Sequence, residues 1–346
     1  MKMKRAIAGP VLAVLLAALP LGAQTNDLFD DTPAVPLNHP EAVLVGGEVG
    51  RETSVVLASL PLRSMAAKEA VRGDDGRLVF LGAYRYDGYS LADILDRVTV
   101  EKKNSGEYSR IIDVYVEVAN EAGEKAVFSW GEIYYPADRH RIILATAVSR
   151  LVPSLTKDLW PLPSESKLVA GSDLLSIRNI SRPSRITIRS LDMGMSGIAD
   201  GKGEASSKTK LRLCLNGVLI GELSRLPEKS AAYEYPAVFY GRGKGFLGIE
   251  TFRGVALREV LSGKYPAADR AMREGLVAVI ASDGYRAAFS LAEIADRNDF
   301  REILLMDKEN NSGESGGFAL FPAGDFFSDR AVKGIRTIDL RVPLHD

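Results

Sequence analysis

The chain has 346 residues, 46% hydrophobic and 26% charged, with 44 Lys and Arg against 45 Asp and Glu, an ordinary globular composition that leaves no basic excess for nucleic acid. One cysteine and three histidines exclude an intrachain disulfide, c-type haem attachment and multi-cysteine metal sites. His39, His140 and His345 share no motif, so neither a Ser-His-Asp triad nor a multi-histidine zinc site is expected, and no metal ligand is assigned.

Residues 1–23 begin with Lys2, Lys4 and Arg5 and continue as an apolar stretch ending in Leu-Gly-Ala, which reads as a secretory signal cleaved near Ala23. Pro10 and Pro20 interrupt it too early for a membrane anchor, and no cysteine follows to carry a lipid. The expectation is a periplasmic or secreted protein without a stable membrane anchor. Residues 24–40 are rich in Pro and Asp and should form an extended leader.

A first domain, 41–190, opens on a strand at Ala42-Val-Leu-Val45 and a short helical turn at Leu57-Ala-Ser-Leu-Pro61. Residues 191–209 have the Gly- and Ser-rich composition of a linker, and Met193 and Met195 within it lack the third soft ligand that copper needs. A second domain, 210–346, begins with the alternating strand Lys210–Gly217, where Cys214 reads as a small buried apolar residue. The segment Gly241-Arg-Gly-Lys-Gly-Phe-Leu-Gly248 has phosphate-loop spacing, but no helix start follows it, so a flexible loop is the first reading and an anion cradle the second. From Leu276 to Ile294 the chain spells strand, Asp283-Gly284 turn, strand and helix start, with Ser290 and Glu293 spaced as a capping box. Trp130 and Trp160 read as packing aromatics.

Phe128-Ser129-x-x-Glu132-Ile133 returns 161 residues later, from 128 to 289, as Phe289-Ser290-x-x-Glu293-Ile294. Flanking pieces recur in the same order. Val79–Gly82 with Leu91–Leu95 answers Val238–Gly241 with Leu257–Leu261, Arg141–Leu144 answers Arg301–Leu305, and Ile186–Arg189 answers Ile338–Arg341. A tandem duplication follows from this order.

The helix Gly254–Leu261, the turn Ala281–Arg286, the run Ile303–Leu305 and the closing Arg330–Ile338 resemble the molybdopterin-binding domain of the sulfite oxidase family, in its short stand-alone bacterial form. The resemblance covers most of 210–343 and, more faintly, 41–190. It implies an α+β fold of two tandem domains, each a mixed β-sheet with short helices. It also implies a molybdenum-ligating cysteine after the strand before the first helix, where this chain has Tyr240 in one half and Leu81 in the other. Neither replaces a thiolate.

The expectation is therefore a non-catalytic binding or assembly module with a degenerate active site, no catalytic residue and no cofactor, whose partner is a periplasmic protein or a small anionic ligand. The alternative is a molybdopterin-dependent oxidoreductase with an atypical ligand set. By the resemblance, its cofactor would lie against Tyr240, Gly241, Arg242, Gly243, Lys244 and Gly245, with Arg286, Arg330 and Lys333 as basic contacts. For these last three, solvated surface positions are the default. A purely structural subunit is a third reading, which a large apolar surface patch would favour.

Overall fold

The computed structural model describes residues 29–193, 210–266, 268–307 and 317–343. The signal segment, the start of the leader (24–28) and most of the linker (194–209, with Met195) lie outside the described residues.

The leader contributes two short strands, β1 (Phe29–Asp31) and β2 (Val35–Pro36). The first half continues with β3 (Ala42–Gly47), β4 (Thr53–Val56), β5 (Arg63–Arg72), β6 (Leu78–Ser90), α1 (Leu91–Leu95), β7 (Val114–Asn120), β8 (Lys125–Ser129), α2 (Trp130–Tyr134), β9 (Ile142–Pro153), β10 (Lys167–Ala170) and β11 (Pro183–Ser190). The second half has β12 (Leu211–Leu215), β13 (Val218–Leu223), β14 (Ala232–Gly241), β15 (Gly245–Ala256), α3 (Leu257–Leu261), α4 (Asp269–Glu274), β16 (Leu276–Ala281), β17 (Arg286–Ser290), α5 (Leu291–Ala295), β18 (Ile303–Asp307), β19 (Phe318–Pro322) and β20 (Lys333–Arg341).

Strands make up 50% of the structure and helices 13%, in sheets that are mixed and antiparallel, so the α+β expectation is overturned in favour of a mostly β fold. The physical reason lies in the helix signals. A capping box fixes where a helix starts and says nothing of its length. Among the described residues the five α-helices stop after five or six residues, whereas β5, β6, β9, β14 and β15 run for ten to thirteen.

One pairing order occurs twice. In the first half it is β4-β3-β11-β7-β8, and in the second β13-β12-β20-β16-β17, with β3/β11 and β12/β20 parallel and the other pairs antiparallel. Beside each lies a second series, β5-β6-β9-β10 and β14-β15-β18-β19. In the second half β19 also pairs β20, which joins the two series into one nine-stranded sheet. Val79–Gly82 lies in β6, whereas Val238–Gly241 lies in β14, the counterpart of β5. The two segments matched in sequence thus sit on opposite strands of two hairpins, because either strand of a half-buried hairpin carries the same alternation.

β16 is buried at all six positions because each of its faces has a partner. Val277, Val279 and Ala281 point into the core of the second half, and Leu276, Ala278 and Ile280 meet Val127, Leu191 and Tyr115 of the first. Burial at about 1.5–3 kcal/mol per large apolar side chain makes this face a substantial part of what joins the halves.

Gly88 of β6 and Gly254 of β15 occupy matching places, three residues before α1 and α3. A Cβ on Gly88 would lie 2.1 Å from the Leu144 carbonyl oxygen, and one on Gly254 would lie 2.4 Å from that of Leu305. Backbone cannot retreat as a flexible side chain can. Gly88→Ala and Gly254→Ala are each expected to lower the free energy of urea unfolding by about 1–3 kcal/mol. Gly243→Ala, with open space around it, is expected to stay within about 0.5 kcal/mol.

Candidate functional site

Ser129 and Ser290 each cap a helix. Ser129 Oγ accepts from the Glu132 amide at 2.9 Å, Ser290 Oγ from the Glu293 amide at 3.0 Å, and each glutamate reaches back to its serine amide. Both expected capping boxes are therefore formed. The Asp283-Gly284 turn is formed as well, with Gly284 at a φ of 85°.

Onto these caps fold two turns of the same sequence pattern, Asp173-Leu-Leu-Ser-Ile-Arg178 and Asp325-Phe-Phe-Ser-Asp-Arg330. Asp173 grips Arg178 through two hydrogen bonds of 2.8 and 2.6 Å, and Asp325 grips Arg330 at the same two distances. Each arginine then reaches the glutamate of its own half, Arg178 to Glu132 at 3.0 Å and Arg330 to Glu293 at 2.7 Å. Each also donates to the capping serine of the other half, Arg178 to Ser290 Oγ at 3.1 Å and Arg330 to Ser129 Oγ at 3.0 Å. The guanidiniums lie over the Phe128 and Phe289 rings, 4.2 and 4.4 Å from the centroids. Backbone contacts cross in the same reciprocal way, with the Leu174 amide donating to the Asp296 carbonyl and the Phe326 amide to the Tyr135 carbonyl, both at 2.7 Å.

Arg178 and Arg330 are 2% and 1% exposed. A buried guanidinium is tolerable only with its donors met by charge, and here burial, which disfavours the cation, is outweighed by Asp173 with Glu132 and by Asp325 with Glu293. The carboxylates carry the remaining imbalance. Burial, together with the charges of Glu293 and Asp173, pushes Glu132 up to about 7. Asp296, whose carboxylate accepts from the Leu175 amide, is pushed up to about 7 by burial and by Asp173. Between the turns lies a cavity of about 30 Å³, lined by Glu132, Asp173, Arg178, Glu293, Asp325 and Arg330 among others, which is room for water and not for an organic cofactor. Among the described residues no group of three or more His, Cys, Asp or Glu side chains is arranged to hold a metal ion.

The expected site residues do not converge here. Arg330 is the only one of them in the network, and it is buried, against the default of a solvated surface charge. Arg286 is buried too. It bonds Asp113 at 3.1 Å and Glu107 at 2.5 Å and lies over the Tyr108 ring at 4.6 Å, all in the first half. Lys333 is exposed. Tyr240 is the last residue but one of β14, with its ring 6.0 Å from those of Phe326 and Phe327. Gly241 and Gly245 face each other across a hairpin turn made of Arg242, Gly243 and Lys244, so the Gly-rich stretch is a tight β-turn and not a phosphate loop before a helix. The Arg242 amide, which an anion cradle would use, donates to Asp329 at 3.1 Å. Cys214 is 4% exposed and its thiol is raised by burial and by Asp339.

Sequence reasoning missed Asp173 and Asp325, and it reaches Arg178 only as the start of a basic stretch, Arg178–Arg185, comparable to the basic residues of the second half. The signal was the pattern Asp-x-x-Ser-x-Arg recurring 152 residues apart, from 178 to 330, the spacing that also separates Ile186 from Ile338. No known protein-family model matches the chain, and no curated protein matches it.

Glu132 and Asp296 bind a proton more tightly folded than unfolded, where carboxyls titrate at 4.5 and 3.8, so this stabilisation is present at low pH and lost as pH rises through about 7. Urea unfolding across that range is expected to show stability falling as pH rises, and Glu132→Gln is expected to flatten the curve. A rise in stability through pH 7 would refute the assignment. Arg178→Met strands Asp173 and Glu132 and is expected to cost about 3–5 kcal/mol, whereas Arg178→Met with Asp173→Leu and Glu132→Gln recovers much of that loss. Chemical denaturation of the single and triple variants checks it.

Proposed function

We propose that this chain is a non-catalytic binding module, exported by virtue of its N-terminal segment, with sequence likeness to the molybdopterin-binding domain of the sulfite oxidase family but without its redox chemistry. The observation that carries the reading is the fate of Arg286 and Arg330. These are two of the cations that the likeness would offer to an anionic cofactor, and the chain's own carboxylates occupy both. Burial in low dielectric makes such pairs costly to open, so neither arginine is available as a ligand contact, and the Arg286 pairs also join the two halves. Two further features agree. The thiol of Cys214 is inward and its thiolate is disfavoured. The space between the paired turns admits water alone.

Mass spectrometry for metals on protein purified from its native host, with pterin fluorescence after denaturation and oxidation, tests this reading. The expected result is molybdenum and pterin both far below one per chain. Molybdenum stoichiometric with the protein would overturn the proposal and move attention to Tyr240 and the turn beside it.

A further inference from the structure

We infer that the β14–β15 hairpin is a docking surface for an anionic phospholipid membrane. The inference goes beyond the reading as a binding module, and a bound cofactor would leave it standing.

Among the described residues only Val255 and Ala256, at the base of this hairpin, pair with a third strand. Ten Cα pairs, from Ala232 opposite Val255 to Gly241 opposite Gly245, form a two-stranded arm about 30 Å long. The register places Val238 opposite Ile249 and Tyr240 opposite Phe246 on one face. Val238, Phe246 and Ile249 are 62%, 63% and 74% exposed, with Leu247 beside them and Phe326 at the margin. An antiparallel sheet with one face in water normally turns polar residues outward, and this arm turns apolar ones outward instead. The tip is held in place, because Tyr240 rests on Phe326 and Phe327 and the Arg242 amide bonds Asp329. The apolar face is therefore presented preformed.

Charge selects the occupant. Between Glu234 and Glu250 the chain carries Arg242 and Lys244 and no acidic residue, and although Asp329 is brought against the Arg242 amide, two cations share the tip with the apolar side chains. That combination matches the interface of an anionic bilayer, where aromatic and aliphatic groups enter the acyl boundary and cations meet headgroup phosphates. A second copy of the chain would bring the same two cations against these. Pro236, midway along the β14 edge, also removes an amide that strand-to-strand pairing would need. The matching hairpin of the first half lacks the combination. It too exposes Leu78, Val79 and Phe80, the last edge-on against Trp160, but its turn holds Asp74 and Asp75, with Asp75 paired to Arg77.

The test uses the full chain with Leu247→Cys, labelled with an environment-sensitive fluorophore, since Cys214 is buried and does not compete for the label. Vesicles of phosphatidylcholine, and of phosphatidylcholine with about a third phosphatidylglycerol, are titrated at low and at physiological salt. A blue shift on the anionic vesicles, reversed by salt, is expected. Phe246→Ser is expected to weaken the response about tenfold, and Arg242→Glu with Lys244→Glu to weaken it roughly 30-fold or more. Neither variant should change the circular dichroism or the urea midpoint. An unchanged spectrum on anionic vesicles overturns the proposal. So does a response that the two charge reversals leave intact, or a concentration-dependent dimer that Phe246→Ser abolishes and lipid does not affect. Because the label reads the hairpin itself, these outcomes are independent of whether metal or pterin is found.

Discussion

Two of the interior guanidiniums, Arg178 and Arg330, are what the relation between the halves depends on. Taking a cation out of water costs several kcal/mol unless nearly every donor meets charge or a strong acceptor. Each arginine meets that demand from three sources: an aspartate five residues earlier in its own turn, the glutamate of its own capping box, and the capping serine across the centre. The serine side of the account is as tight. Ser129 Oγ accepts from the Glu132 amide and from Arg330, and its own hydrogen goes to Glu293. One hydroxyl has a single hydrogen and two lone pairs, so nothing is left over. The start of α2 and the docking of the second half's turn therefore form together or not at all, and two residues 201 apart in sequence behave as one cap.

That coupling explains why helices are so short in a chain with such clear helix starts. α2 and α5 present a capping serine, one inward aromatic neighbour and a glutamate to the centre, and one and a half turns suffice for that. The bulk of the apolar burial falls to strands, above all β16 and β17, whose two faces serve the second half's core and the contact with the first half. Helix propensity contributes little over five residues, so tertiary contact holds these helices in place.

Local chemistry was legible in the sequence wherever it is settled within a few residues. Ser129 with Glu132, Ser290 with Glu293, the Asp283-Gly284 turn and the inward Cys214 all follow from neighbours, and all appear in the structure. What was not legible depends on partners far along the chain. No local rule places Arg286 in the interior, because Asp113 and Glu107, which neutralise it, belong to the other half. The Gly241–Gly245 stretch has the glycines of a phosphate loop, and only the pairing of Phe239 with Gly248 and of Tyr240 with Phe246 shows those glycines to be a turn and a bulge. Capping signals overstated helix content for the same reason, since the end of each helix is fixed by where the next strand must go.

The duplicated plan also constrains where the halves can differ. A change at Arg178 strands charges on its own turn and on α2 and takes a donor from the cap of the other half, so the centre resists single substitutions. Small asymmetries are nevertheless tolerated there. Gly131 leaves space for Arg330, whose Nε would lie 2.2 Å from a Cβ, while the matching place beside Arg178 is Ala292. Larger divergence is confined to parts that touch little else. The hairpin turns are such parts. Both are flanked by exposed apolar side chains, but one turn carries Asp74 and Asp75 whereas the other is glycine-rich and carries Arg242 and Lys244. A substitution at an exposed tip position such as Gly243 or Lys244 alters no buried contact, so properties directed at the surroundings can change in one half while the crossed arginines keep the frame common to both.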